Sequence, residues 1–292
     1  MGIFLSLASA FCFGTSDLIV SRASTVEGSV KTQVYSQTVG LILSLLLLLL
    51  GGFNNWDKAL SLSGVVALAI GLSFVIANLF LFRALSLGPL LLVSPISSSF
   101  AAITVLLSIL TGDKPTLLQL IGIFLVLIGA FAATATSIAS EDKISSRLAP
   151  NSIVWPHLGI LFAVISALIY GVNFWVQRYA VSALGAQYTV FLMRVTGTVA
   201  LTLYLAASKK SIVLEKISSL TILLPIGALT TFANLFYSLA LGYGITSIVS
   251  VIVSLYSVVT IILGYVFLKQ RLGIKQGIAI LLTLMGLALT SL

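Results

Sequence analysis

One carboxylate stands out by its surroundings. Asp17 lies in a run of apolar residues, directly after Ser16, and extends a stripe in which Ser6, Ser9, Phe13 and Ser16 follow one another at steps of three, four and three. On a helix such steps share one face. An acid placed there is suited to taking up a proton or attracting a cationic group; the plainer alternative is a helix end where it meets water or Arg22. Tyr170, Asn173 and Gln177 form a second polar face by the same spacing, with Trp175 nearby. Amides and hydroxyls in an apolar medium need partners, either another helix or a solute in a wet cavity. Asn78 and Asn234 have the same two uses, interhelical bonding being the commoner. Ser94, Ser98, Ala101 and Ser108 give one small face, and Ser247, Ser250, Ser254 and Ser257 another, for which close helix packing competes with solute contact. The candidate solute-binding residues are therefore Ser16, Asp17, Asn78, Ser94, Ser98, Tyr170, Asn173, Trp175, Asn234, Tyr237, Ser250, Ser254 and Tyr256.

Catalytic chemistry finds little to work with. His157 is the single histidine, so neither a histidine-based triad nor a multi-histidine metal site can be assembled. The stretch from Gly14 to Leu18 lacks the second glycine of a phosphate-binding loop, and seven acids, most of them between the apolar runs, are too few for a two-metal site. No cofactor is expected. The scattered basic residues give a net charge of +8 without the clusters that bind nucleic acid. They also leave no paired cations within the apolar runs to hold a phosphorylated solute. Cys12, alone, forms no intramolecular disulfide.

What positions these side chains is a bilayer. Of 292 residues 59% are hydrophobic and 8% charged, with a mean hydropathy of +1.20, far from soluble composition. A hydrocarbon core about 30 Å thick takes roughly 20 apolar residues as a helix. Long runs such as 41–50 and 278–289 show no strand-like alternation, so a membrane barrel is rejected. Breaks at glycine, proline, asparagine and charged residues predict ten spans: 2–21, 33–50, 60–85, 90–110 and 117–138, then 156–181, 188–208, 220–241, 246–268 and 274–289. The first has no basic leader segment and is expected to be a permanent helix.

The chain is also a duplication. Asn78-Leu79-Phe80 recurs 156 positions later as Asn234-Leu235-Phe236, followed by Ala84-Leu85 with Ala240-Leu241, Ser94 with Ser250, Ser98 with Ser254 and Thr104 with Thr260. At an offset of 157, Ser9-Ala10 matches Ser166-Ala167, Gly14 matches Gly171 and Gly40 matches Gly197. Residues 1–139 and 156–292 are thus two five-helix repeats joined by a polar linker at 140–155 that holds Glu141, Asp142, Lys143 and Arg147. An odd number of spans makes the second repeat enter from the opposite side, giving an all-α membrane protein of two inverted repeats, an architecture of secondary transporters. Pro95 removes a helical donor in the fourth span but matches Val251, so any hinge there should be asymmetric.

On these residues the chain resembles the EamA branch of the drug/metabolite transporter superfamily over nearly its whole length. Phe13-Gly14-Thr15-Ser16 and Tyr170-Gly171-Val172-Asn173 are similar to the family's first-helix signature. Asp113 stands where the family has an acid after a half's fourth helix, whereas the second half has Gln270. Arg194 matches the family's arginine in a half's second helix, whereas the first half has Gln37. The resemblance implies a ten-helix carrier in the cell membrane, moving a small metabolite by alternating access. The expected solute is an amino acid or related neutral or zwitterionic compound, or alternatively a quaternary amine held by aromatics such as Tyr170, Trp175, Tyr237 and Tyr256, a channel or structural membrane protein being the remaining alternative. A coupling proton is possible, the lipid bilayer is the other partner, and the unit is a monomer or homodimer. The loops opposite the termini carry more Lys and Arg, which places the termini outside by the positive-inside rule, whereas the resemblance implies cytoplasmic termini.

Overall fold

The computed structural model describes residues 1–51, 61–88, 90–129, 132, 156–208, 220–268 and 274–290, and the linker expected at 140–155 lies outside them. In chain order the helices are α1 (Gly2–Val26), α2 (Ser29–Gly51), α3 (Leu62–Leu87), α4 (Leu90–Ser98), α5 (Phe100–Leu110), α6 (Leu117–Gly129), α7 (Pro156–Leu184), α8 (Ala186–Ser208), α9 (Leu220–Ala240), α10 (Thr246–Ser254), α11 (Tyr256–Leu268) and α12 (Ile274–Thr290). Without water in the hydrocarbon layer, each segment closes its backbone hydrogen bonds on itself, and helices follow. Among the described residues eight helical stretches are long and apolar enough to cross a membrane, α4–α5 and α10–α11 each counting as one, while α6 and α12 are shorter. This is a multi-pass membrane protein.

The first two helices of each half run further than the apolar pattern suggested. α1 continues to Val26 and α2 begins at Ser29, so Arg22 and Lys31 are helical rather than in a loop. Two residues suffice for the turn because Gly28 adopts a φ of 86°, a conformation other residues resist. Gly185, its repeat counterpart, joins α7 to α8 at a φ of 85°. Thr32 and Thr189, again counterparts, close both turns by donating backbone and side-chain bonds to the Gly28 and Gly185 carbonyls.

The fourth span breaks at Ser99 and the ninth at Leu255, positions equivalent in the repeat. The expected asymmetric hinge is therefore corrected: with Val251 in place of Pro95, the second half breaks at the same point. The cause lies in the shared serines. Ser98 donates to the Pro95 carbonyl at 2.8 Å and Ser254 to the Val251 carbonyl at 2.7 Å, and the backbone N–H groups of Ser99 and Leu255 both turn to the carbonyl three residues back. Side-chain bonds to the preceding turn compete with the regular ladder and tighten it locally.

Packing obeys the same duplication. α3 packs against α7 as α9 packs against α1, α3 lies on α8 as α9 lies on α2, and α5 meets α7 as α11 meets α1. The pairs α2 with α8 and α6 with α12 close on themselves, the latter through Gly122 against Gly286. That is the pattern of a pseudo-two-fold axis between the halves. Individual bonds repeat across it: Ser9 donates to the Ala233 carbonyl at 2.8 Å and Ser166 to the Ala77 carbonyl at 3.0 Å, while Thr260 donates to the Gly14 carbonyl at 3.2 Å and Thr104 to the Gly171 carbonyl at 2.9 Å. Gly14 lets α1 approach Tyr256 and Val259, and Gly171 lets α7 approach Phe100 and Ile103, so backbones touch where any side chain would intrude. Large apolar residues such as Phe4, Leu46 and Phe124 face outward, toward where the lipid lies.

Candidate functional site

Where the two halves meet, the repeat supplies pairs of equivalent positions, and the chemistry arises where the members of a pair differ. Phe100 and Tyr256, counterparts at the two helix breaks, stack with ring centroids 6.3 Å apart. Beside them lies a cavity of about 30 Å³, room for about one water, lined by Phe13, Ser16, Asp17, Asn78, Leu81, Phe82, Phe100, Tyr170, Phe174, Thr230 and Tyr256. Asp17 is only 5% exposed, midway along α1. The alternative of a water-facing helix end falls, because α1 continues well past it. Its counterpart is Phe174, so a carboxylate stands in one half where the other has an aromatic ring. Among the described residues the only polar contact to Asp17 is a long one, Ser94 Oγ to Oδ2 at 3.5 Å. Ser16, 1% exposed, has no hydrogen-bond partner for its hydroxyl among the described residues.

Asn78 and Asn234 show the same broken symmetry. Each donates its amide to the carbonyl one turn back, Phe74 or Thr230. Asn78 Oδ1 accepts from the Tyr170 hydroxyl at 2.8 Å. Asn234 Oδ1 has no such partner among the described residues, because the residue at Tyr170's equivalent place is Phe13.

The third pair lies on the axis itself. Arg194 on α8, 5% exposed, donates Nη1 to Gln37 Oε1 at 2.7 Å, its own counterpart on α2, and Nη2 to Thr230 Oγ1 at 3.0 Å. Gly40 leaves the space this guanidinium occupies, and Gly197 leaves that for Gln37. Neither partner of Arg194 is charged. A small hollow of about 10 Å³ lies against Gln37, Phe74, Val190, Met193, Arg194 and Asn234. Thr230 links the two hollows, since it lines the cavity of Asp17 and binds Arg194. Phe74, the counterpart of Thr230, lines the hollow of Arg194 and packs its ring on Tyr170 and Phe174.

Of the residues expected from sequence, Ser16, Asp17, Asn78, Tyr170 and Tyr256 line the cavity, Ser94 touches Asp17, and Asn234 lines the adjoining hollow. The others stand apart. Ser98 and Ser254 bond to their own helices, Asn173 Oδ1 accepts from Ser73, and Tyr237 donates to the Phe174 carbonyl at 2.8 Å beside Ser250. Trp175 donates to Thr111 Oγ1 at 2.9 Å, in a cluster toward the side of the termini. There Arg178 pairs with Asp113 at 3.1 Å, and the second Asp113 oxygen accepts the backbone N–H of Ser247 at the start of α10, closing α5, α7 and α10 together. The position of Gln270, expected to correspond to Asp113, lies outside the described residues. Sequence reasoning left Arg194, Phe74, Thr230 and Phe174 out of the site; a lone cation inside an apolar run with no acid at helical spacing was the available signal for Arg194.

Comparison with known proteins agrees with this architecture. The EamA-like transporter family matches residues 1–135 and 157–292, one match per half. An uncharacterized transporter of Haemophilus influenzae is 30% identical over 135 residues, 46% of this chain and 44% of that protein, so the aligned stretch spans less than half of its relative. A solved crystal structure shares the fold with a TM-score of 0.75, covering 99% of this chain and 96% of its own at 18% identity. With both halves matched, their helices related by a pseudo-two-fold axis and a largely aromatic cavity holding one carboxyl group between them, the chain belongs to the EamA-like transporter family.

Proposed function

We propose that this protein is a secondary carrier of the cell membrane that moves a small neutral or zwitterionic metabolite, such as an amino acid, by alternating access. In this reading residues 1–139 and 156–292 are inverted five-helix repeats, ten spans in all, and their rocking opens the central cavity to each side in turn. The observation that carries it is Asp17: a carboxylate 5% exposed between the halves, beside a hydroxyl with no partner among the described residues, in a cavity on the pseudo-symmetry axis. An intramembrane acid is costly and marks a substrate or proton pathway. The Arg178–Asp113 cluster closes the side of the termini in the conformation described and would have to part when that side opens.

A second reading, an organic-cation carrier, is favoured by one feature. Phe13, Phe100, Tyr170, Phe174 and Tyr256 line the same cavity as Asp17, and aromatic faces attract quaternary ammonium groups. Uptake into proteoliposomes separates the readings: saturable uptake competed by amino acids supports the first, competition by choline and tetramethylammonium supports the second, and single-channel currents sink both.

A further inference from the structure

The two hollows at the centre differ in charge, and that difference specifies a ligand. Arg194 is an ion in the membrane interior bonded to two neutral side chains, Gln37 and Thr230. A guanidinium has five N–H donors in a planar fork suited to a carboxylate. Beside it Asn234 Oδ1, buried at 2% exposure, lacks a donor among the described residues. Across Thr230 lies Asp17, with only the long Ser94 contact among the described residues. A buried cation, a buried carboxyl group held by one long contact and an acceptor without a donor are each costly alone. A single solute carrying both charges would satisfy all three.

We propose that the hollows are the two ends of one binding site for an α-amino acid zwitterion, its carboxylate on Arg194 and its ammonium on Asn234 Oδ1 and Asp17, with the aromatic cavity receiving the side chain. This deepens the carrier reading and rests on it. The repeat makes the arrangement specific to this chain: each half lacks the charge the other provides, since Asp17 faces a phenylalanine equivalent and Arg194 a glutamine equivalent. Volumes of about 30 and 10 Å³ are smaller than any amino acid, so occupancy requires packed side chains to move, such as the Phe74 ring, which lines the Arg194 hollow and packs on Tyr170 and Phe174 of the other. A single monocarboxylate fork also fits a hollow in which Arg194 is the one base among the described lining residues, where a dianionic phosphate would need a second cation.

The test is a thermal-shift and affinity screen of the purified full chain against neutral L-amino acids, each beside its methyl ester and its N-acetyl derivative. The expected result is that at least one parent binds, and that its ester and N-acetyl forms bind roughly 10- to 100-fold more weakly, as a lost charged hydrogen bond implies. Arg194→Gln should bring the parent down to the level of its ester while leaving the ester unchanged. Asp17→Asn should weaken the parent and leave the N-acetyl form unchanged. Should Arg194→Gln fail to give a cooperative melt, Arg194→Lys keeps the charge but not the fork, and should narrow the parent-to-ester gap several-fold. No binding by any parent, esters binding as tightly as parents, or a gap unchanged in Arg194→Lys would each overturn the proposal. Counterflow of amines or uncharged solutes without zwitterion binding overturns the clamp alone and leaves the carrier standing; absence of exchange for every solute removes the carrier reading as well.

Discussion

Phe13→Tyr should stabilise the protein by restoring a bond that the repeat has lost. In the second half's first helix the Tyr170 hydroxyl donates to Asn78 Oδ1 at 2.8 Å. The equivalent pair is Phe13 and Asn234, and there the amide oxygen is buried without a donor among the described residues. The pseudo-two-fold axis places a hydroxyl on Phe13 where it can donate to Asn234 in the same way. Leaving an acceptor unsatisfied costs about 1–3 kcal/mol in a water-soluble core, but interhelical bonds in membranes average about 0.6 and reach about 1.7 kcal/mol, because the unfolded chain also finds partners. A gain of about 1 kcal/mol is therefore expected, or about 2 °C in melting temperature for a chain of this size. Equilibrium unfolding in mixed micelles measures it, with a double-mutant cycle to assign the cause. In an Asn234→Leu background the gain should vanish, and Tyr170→Phe should lose about the same amount that Phe13→Tyr adds. A gain of equal size in the Asn234→Leu background, or destabilisation by Phe13→Tyr, would refute the reasoning.

Four further outcomes are expected. A Cβ on Gly171 would sit 2.5 Å from Ile103 Cβ, whereas one on Gly277 meets nothing within 4 Å among the described residues, so Gly171→Val should cost about 3 kcal/mol or prevent assembly while Gly277→Val stays within about 0.5 kcal/mol in the same unfolding assay. If Asp17 also takes up the coupling proton, Asp17→Asn in proteoliposomes should retain solute exchange, at weaker affinity, but lose the accumulation that a lower pH on the uptake side drives in the wild type; unchanged accumulation would remove the proton-coupling role. Asp113→Asn weakens both the pair with Arg178 and the acceptor at the start of α10, so it should cost about 1 kcal/mol and make a cysteine at Ser247 several-fold more reactive toward alkylating reagents. For the inverted repeat, single cysteines at Asn55 and Ser211 in a Cys12→Ser background should label from opposite sides of the membrane; labelling of both from one side would refute inversion.

The fold was legible because a bilayer leaves helices as the solution for apolar runs of this length, and because the offsets pairing Asn78 with Asn234 and Gly14 with Gly171 survive as equivalent contacts. The ends of α1 and α2 were misjudged because Arg22 and Lys31 look like loop residues, whereas a positive-φ glycine makes the turn short enough for both to stay helical. The break in the ninth span was missed because Pro95 drew attention to a residue type, while serine bonding to the preceding turn acts alike in both halves. Within the site, Asp17, Ser16 and Tyr170 were readable from helical spacing, and Asn78 from the repeat that pairs it with Asn234. Trp175 and Tyr237 were not distinguishable from them, since spacing gives a face but not the depth at which neighbouring helices cross it. Arg194's role in the site required the tertiary structure: that its partners among the described residues, Gln37 and Thr230, are neutral is a property of three packed helices, α2, α8 and α9.

The central claim is that the cavity around Asp17 opens to each side of the membrane in turn. Ser16→Cys in a Cys12→Ser background reports on it directly, because Ser16 lines that cavity and is 1% exposed in the conformation described. In oriented proteoliposomes the account predicts that a membrane-impermeant maleimide modifies this cysteine when added to either side, that a transported solute protects it against both, and that Arg178–Asp113 disruption biases labelling toward the side of the termini. Labelling from one side alone under conditions of solute exchange, or reaction unaffected by solute, would contradict alternating access at this site.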